Sequence, residues 1–237
     1  MRSGRFPTTR SSVVLALGSD DLPARSRAFD TVVELYWKPL YKSLRFKGTV
    51  SPEDAEDLTQ SFFVAALEKT ALANFNPSKA SFRTFLRMLF DRHVANEWKA
   101  RARLKRGGGA TKLDFDGAEA EMARDTGATL TPEEYFEREW ARSVFATAVD
   151  RLRAWSASNG KETELAIFTA YDLDGDRDVS YRALAQRFGV PETTVTNHLA
   201  ATRRQFRAIL LELIGEVTAS DREYRAEVRA LLGKDAL

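Results

Sequence analysis

The chain has 237 residues, 43% of them hydrophobic, enough for a sizeable core and for one or two domains. It has no cysteine and only two histidines, His93 and His198, so disulfides and thiolate metal sites are excluded and no metal site is expected. The net charge of +2 averages two opposed segments: residues 83–106 carry eight Arg or Lys against Asp91 and Glu97, a balance of +6, and residues 109–139 carry nine acids against Lys112, Arg124 and Arg138, a balance of −6.

Residues 1–24 are rich in Ser, Thr and Arg, with a small apolar patch at 13–17, and predict a loosely held arm. From Ser26 to about Lys47, Phe29, Val32, Val33, Tyr36, Trp37, Leu40, Tyr41 and Leu44 recur at helical spacing, and Gly48 ends the run. Ser51 as N-cap, Pro52 at the first position and Asp54 closing a capping box then predict a helix over 51–69. Its apolar face is Ala55, Leu58, Phe62 and Ala65, and its acids suit the positive end of the helix dipole. Residues 74–81 form a turn-rich loop. Residues 82–106 predict a long helix with Phe82, Phe85, Leu86, Leu89, Phe90, Val94 and Trp98 on one side, stopped by Gly107, Gly108 and Gly109.

Residues 110–130 lack sustained periodicity and read as an acidic linker. Thr131 to Glu134 is a second capping box and opens a helix through Phe136, Trp140, Val144, Phe145, Ala148, Val149 and Leu152. A helix over 163–171 follows, then shorter helices at 180–188 and from Glu192 to about Leu213. Val217, Tyr224, Val228 and Leu231 mark one more helix, expected to pack on the C-terminal domain, with a regulatory role as the alternative. No strand is predicted. The expected fold is all-α, two helical domains joined by an acidic linker. The longest apolar stretches, 13–17 and 209–211, are too short to cross a bilayer, so a soluble, cytoplasmic protein without a membrane partner is expected.

Two segments carry chemistry. Ala185, Gly189 and Val195 have the spacing of a helix-turn-helix, in which a small residue permits close crossing and glycine supplies the turn. The outward face of the second helix would carry Thr193, Thr194, Thr196, Asn197 and His198, suited to base edges, then Arg203, Arg204 and Arg207, suited to phosphates. An ordinary αα-hairpin is the competing reading. In the basic helix, Arg83, Arg87, Lys99, Arg101, Arg103, Lys105 and Arg106 interleave with Phe82, Phe85, Phe90 and Trp98, a combination that suits single-stranded nucleic acid. A solvated face is the alternative. The aspartates at 172, 174, 176 and 178 do not make an EF-hand loop, because its sixth and twelfth positions hold Arg177 and Ala183. The glycines at 107–109 lack the Lys-Ser/Thr of a P-loop. No nucleophile–base constellation, catalytic residue or cofactor site is visible, so the chain is not read as an enzyme.

Residues 54–63 (Asp-Ala-Glu-Asp-Leu-Thr-Gln-Ser-Phe-Phe), residues 75–86 with the basic helix after them, and residues 181–206 resemble regions 2.1/2.2, 2.3/2.4 and 4.2 of the sigma-70 family, in particular its extracytoplasmic-function, or group 4, members. Residues 6–10, 95–98, 105–109, 113–115 and 130–133 are similar to a subgroup frequent in planctomycetes and related bacteria. The resemblance implies an arm at 1–24, a region 2 domain at 25–108, the acidic linker at 109–131, a region 4 domain at 132–215 and an extension at 216–237. Asp54, Glu56, Asp57, Gln60 and Phe63 would meet the β′ clamp helices of core RNA polymerase, with the β flap as a further contact of the chain. Phe75, Asn76, Ser78 and Lys79 would capture an extruded base of the −10 element, which costs a few kcal/mol to unstack. Arg83, Arg87, Trp98, Lys99 and Arg101 would hold the opened strand. Thr193, Thr194, Thr196, Asn197, His198, Arg203 and Arg204 would contact −35 duplex DNA.

The implied function is promoter-directed transcription initiation, with an anti-sigma factor or a Ser/Thr kinase as candidate regulators. Asn197-His198-Leu199 departs from the Ser-Arg-Leu frequent in the family, so no −35 sequence carries over. The alternative is a stand-alone helix-turn-helix regulator that binds duplex DNA without polymerase.

Overall fold

The computed structural model describes residues 13–46, 48–68, 71–101, 114–124, 130–174 and 179–233, and most of these are helical, with no strand among them. The helices are α1 (Val13–Ala16), α2 (Leu22–Phe46), α3 (Pro52–Glu68), α4 (Phe82–Arg101), α5 (Phe115–Ala123), α6 (Pro132–Ser158), α7 (Glu162–Phe168), α8 (Tyr181–Phe188), α9 (Glu192–Glu216) and α10 (Asp221–Leu232). The all-α expectation is met. Two compact units form, one from 1–143 with 214–237 and the other from 144–213.

In the first unit α2, α3 and α4 bury one shared core. Val32, Leu35, Tyr36, Leu40 and Tyr41 of α2 meet Ala55, Leu58 and Phe62 of α3 and Phe82, Leu86 and Phe90 of α4, all at most 3% exposed. The local start signals work as read. Ser51 Oγ accepts from the Asp54 N–H at 3.1 Å, and Thr131 Oγ1 accepts from the Glu134 N–H at 3.2 Å while Glu134 Oε2 accepts from the Thr131 N–H at 2.8 Å. These bonds satisfy N–H groups that a helix start leaves unpaired.

Three segments differ from expectation. The patch at 13–17 is not loose: α1 packs on α2, with Val14 and Leu17 each 4% exposed. Within the acidic linker, α5 is started by Asp114 Oδ1, which accepts from the Gly117 N–H at 3.1 Å, and Phe115 docks edge-on against Trp37 and Tyr41 of α2. The terminal helix α10 forms, but it belongs to the same unit as α2–α4. The stop at Gly107–Gly109 and the residues Arg103, Lys105 and Arg106 lie outside the described residues, as does the side chain of Arg101.

α5 is held by charge as well as by Phe115. Glu119 takes the guanidinium of Arg45 (Nε to Oε1, 2.7 Å) and the hydroxyl of Tyr41 (2.7 Å), and Glu121 meets Lys38 at 3.0 Å and also Lys42. Lys42 is 3% exposed and reaches Glu139 of α6 at 2.8 Å, a buried pair no periodicity signals. The hydrogen bond from Arg45 holds the Glu119 carboxyl below the usual 4.5. At Glu121 burial pushes upward but the two lysines outweigh it, so it too lies low. A depressed carboxylate contributes stability above its ordinary pKa and loses it as pH falls through the lowered value. Hydrogen exchange over residues 115–123 is therefore expected to show protection at neutral pH that fades below about pH 4 while α2–α4 stay protected. Equal protection of α5 at about pH 3 and about pH 7 would contradict the role of these ion pairs.

In the second unit Val144, Ala148 and Leu152 of α6 pack with Ile167, Phe168, Leu184, Val195, Leu199 and Leu213, each at most 2% exposed. α7 continues into a short π-helical turn, Thr169–Leu173.

Candidate functional site

On α3, Asp57, Gln60, Val64 and Leu67 fall at successive i+3 and i+4 steps and so share one outward stripe. Asp57 is exposed, Asp54, Glu56 and Gln60 are half-buried, and Gln60 Nε2 donates to Glu56 Oε1 at 3.1 Å. Phe63 is not on this surface. It is 5% exposed and packs edge-on against Phe29 at 6.1 Å and Phe62 at 5.2 Å, so it serves the core. The apolar edge beside the acids is instead Val64, 41% exposed, with Leu67, 45% exposed. Counting 200° around the helix from Phe62 places Val64 opposite the core, a signal present in the sequence.

The loop after α3 is pre-shaped. Asn76 Oδ1 accepts from the Ser78 N–H at 2.9 Å and from Ser78 Oγ at 2.7 Å, an Asx turn. Phe75 is half-buried between Phe82 (5.3 Å) and Phe85 (5.2 Å), whereas Asn76, Ser78 and Lys79 are exposed. Ser81 Oγ accepts from the Thr84 N–H at 3.2 Å and starts α4. On α4, Trp98 is 40% exposed and Lys99 is exposed, while Met88 and Arg92, not singled out from sequence, also face outward. Ser61 Oγ lies 2.9 Å from His93 Nε2, tying α3 to α4.

Arg83 and Arg87 sit differently. Arg83 Nη2 reaches Glu137 Oε2 at 2.7 Å, its Nη1 lies 3.0 Å from Glu227 Oε2, and its guanidinium stacks 4.2 Å above the Trp140 ring. Arg87 Nη1 donates to Glu133 Oε1 at 2.7 Å. The Phe82 N–H at the start of α4 donates to Glu223 Oε1 at 2.6 Å, a carboxylate at the positive end of the helix dipole. Around Arg83, Glu227 Oε2 is paired with Arg83 Nη1 and the Tyr36 hydroxyl faces the Trp140 indole N–H, while the buried Arg83 Nε has no hydrogen-bond partner. Such an atom costs about 1–3 kcal/mol. Burial pushes the Glu227 carboxyl above its usual range, against the pull of Arg83.

In the second unit, Ser180 Oγ accepts from the Ala183 N–H at 3.1 Å to start α8, and Gly189, at φ +65°, turns the chain towards α9. Only glycine adopts that φ without steric cost. Ala185 and Val195 are buried at the crossing. Thr193, Thr196, Asn197 and Arg204 are exposed, and Thr194 and His198 are half-buried, with His198 Nδ1 3.8 Å from Glu164. Arg203 is held in place by two bonds to Asp172 (Nε to Oδ2 2.9 Å, Nη2 to Oδ1 2.8 Å) beside the Tyr171 ring. Its side chain nonetheless stays 45% exposed. Among the described residues no cluster of His, Asp or Glu has the makings of a metal site, and no helix is long and apolar enough to cross a membrane.

No curated protein and no solved structure matches the chain. The family model for sigma-70 region 2 matches residues 33–104, from within α2, through the acidic α3 and the Asx-turn loop, to the basic α4. The chain thus carries a sigma-70 region 2 domain.

Proposed function

We propose that the chain is a sigma factor of the extracytoplasmic-function type, which binds core RNA polymerase, opens the −10 element and reads a −35 element. The observation that carries this is the region 2 match over α2–α4, because that segment holds the acidic stripe, the shaped loop and the basic-aromatic helix together. α3 binds polymerase through Asp54, Glu56, Asp57 and Gln60, with Val64 and Leu67 as the apolar contact in place of Phe63. The loop at 75–81 takes the extruded base, and Trp98, Lys99, Arg83 and Arg87 hold the strand. α8 and α9 act as a helix-turn-helix of region 4, with Thr193, Thr196 and Asn197 towards base edges. The exposed polar start of α9 supports that reading.

The test is transcription with purified core polymerase on DNA recovered with the holoenzyme. Promoter-dependent transcripts that need the added protein are expected. Tight duplex binding by the protein alone, without association with polymerase, would favour the stand-alone regulator instead. Within the α8–α9 assignment, Arg204→Ala is expected to weaken binding across sequences and reduce the salt slope by about one. Arg203→Ala, whose side chain is held by Asp172, is expected to change that slope little. Fluorescence anisotropy across a salt series measures both, and equal slopes for the two variants would remove the distinction.

A further inference from the structure

The arginines that the proposed function assigns to the opened strand already have anionic partners. Glu133 and Glu137 on α6 are four residues apart, as are Glu223 and Glu227 on α10, so each helix offers a carboxylate once per turn. Together they engage Arg83, Arg87 and the first N–H of α4. Carboxylates at that repeat compete for the same donors as successive phosphates of a nucleic-acid backbone. α10 is seated by Tyr224 and Val228, 6% and 0% exposed, and is joined to α9 by only residues 217–220.

The seat also buries charge. Glu227 Oε2 faces Arg83 Nη1 at 3.0 Å with its side chain 7% exposed. When such a pair separates both charges regain water, which offsets much of the lost attraction.

We propose that α10, together with the exposed Glu133 and Glu137 side chains of α6, forms an acidic cover over the strand-binding arginines of α4, and that α10 lifts before single-stranded DNA binds there. This rests on the reading of α4 as the strand-binding helix. The cover is a regulatory contact within one chain: lifting frees Arg83 from Glu227, and the exposed glutamates of α6 then yield Arg83 and Arg87 to phosphates.

The test compares the full chain with Glu133→Gln/Glu137→Gln/Glu227→Gln, using a fluorescein-labelled random-sequence single strand of about 20 nucleotides at fixed salt. The triple variant keeps the packing but removes the competing charge, and is expected to bind about tenfold more tightly. Adding Arg83→Ala should cancel the gain. Removing the same charge at Asp20, Asp30 and Glu68 should give a much smaller increase, which separates uncovering from a general rise in net charge. Hydrogen exchange should show faster exchange over 221–232 in the triple variant, with α2–α4 unchanged. Should the triple variant fail to fold by circular dichroism, Glu133→Gln/Glu137→Gln, which alters two exposed side chains only, is expected to show a smaller gain in the same direction.

If the parent binds as tightly as the variants while Arg83→Ala or Arg87→Ala weakens binding, the cover is wrong and the strand-binding reading stands. An equal gain from the Asp20, Asp30 and Glu68 set also overturns the cover. If neither parent nor variant binds and the arginine substitutions change nothing, the strand-binding reading of α4 falls with it.

Discussion

Trp140→Ala is expected to destabilise the first unit by about 3–5 kcal/mol, the range for deleting a fully buried large aromatic. Trp140 is 1% exposed, lies 6.4 Å from the Tyr36 ring and carries the Arg83 guanidinium on its face, so its removal leaves a cavity and an unsupported cation together. Trp140→Phe separates these effects. Its ring still fills part of the space, but it removes the indole N–H that faces the Tyr36 hydroxyl, so the loss should fall only to about 2 kcal/mol. Urea unfolding followed by near-ultraviolet circular dichroism measures both. A phenylalanine variant as unstable as the alanine variant would show that ring volume contributes little at this site.

Asp57→Arg combined with Leu67→Ala is expected to weaken binding to core polymerase by at least about 2 kcal/mol, roughly 30-fold. The pair reverses the exposed charge and deletes part of the apolar edge on the same stripe of α3, and neither side chain contributes to the buried face. Phe63→Ala makes the contrast. It should lower stability by creating a cavity, while whatever protein remains folded binds polymerase with near-parent affinity. Surface plasmon resonance against immobilised core, with thermal unfolding alongside, distinguishes the two. Unchanged affinity in the Asp57/Leu67 variant would remove α3 as the polymerase contact.

What was legible in the sequence was local. The boxes at Ser51 and Thr131 and the cap at Ser180 declare themselves within four residues, and the structure forms each where the spacing puts it. Phe62 and Phe63 show where such reading stops. They are neighbours 100° apart on α3, and the depth of Phe63 is set by Phe29, which α2 supplies. α5 escaped notice because its apolar face amounts to Phe115 and Ala118, too few for a periodicity, and most of its hold comes from Arg45, Lys38 and Lys42 of α2. The partners of Arg83 and Arg87 lie 46 to 144 residues further along the chain. Basic composition alone predicts solvated arginines there, and only tertiary structure reveals that they are neutralised.

That neutralisation bears on how the protein is distributed in a cell. Genomic DNA and RNA offer an immense excess of non-specific phosphate, and any chain with open arginines and aromatics is partitioned onto it in proportion to that excess. Exchanging the Glu137 and Glu227 carboxylates for a random phosphate releases fewer counterions than binding from bare arginines, so the electrostatic gain that drives such trapping is reduced. On the proposed reading, the acids on α6 and α10 thereby leave a larger share of the protein in the freely diffusing pool, available to its partner.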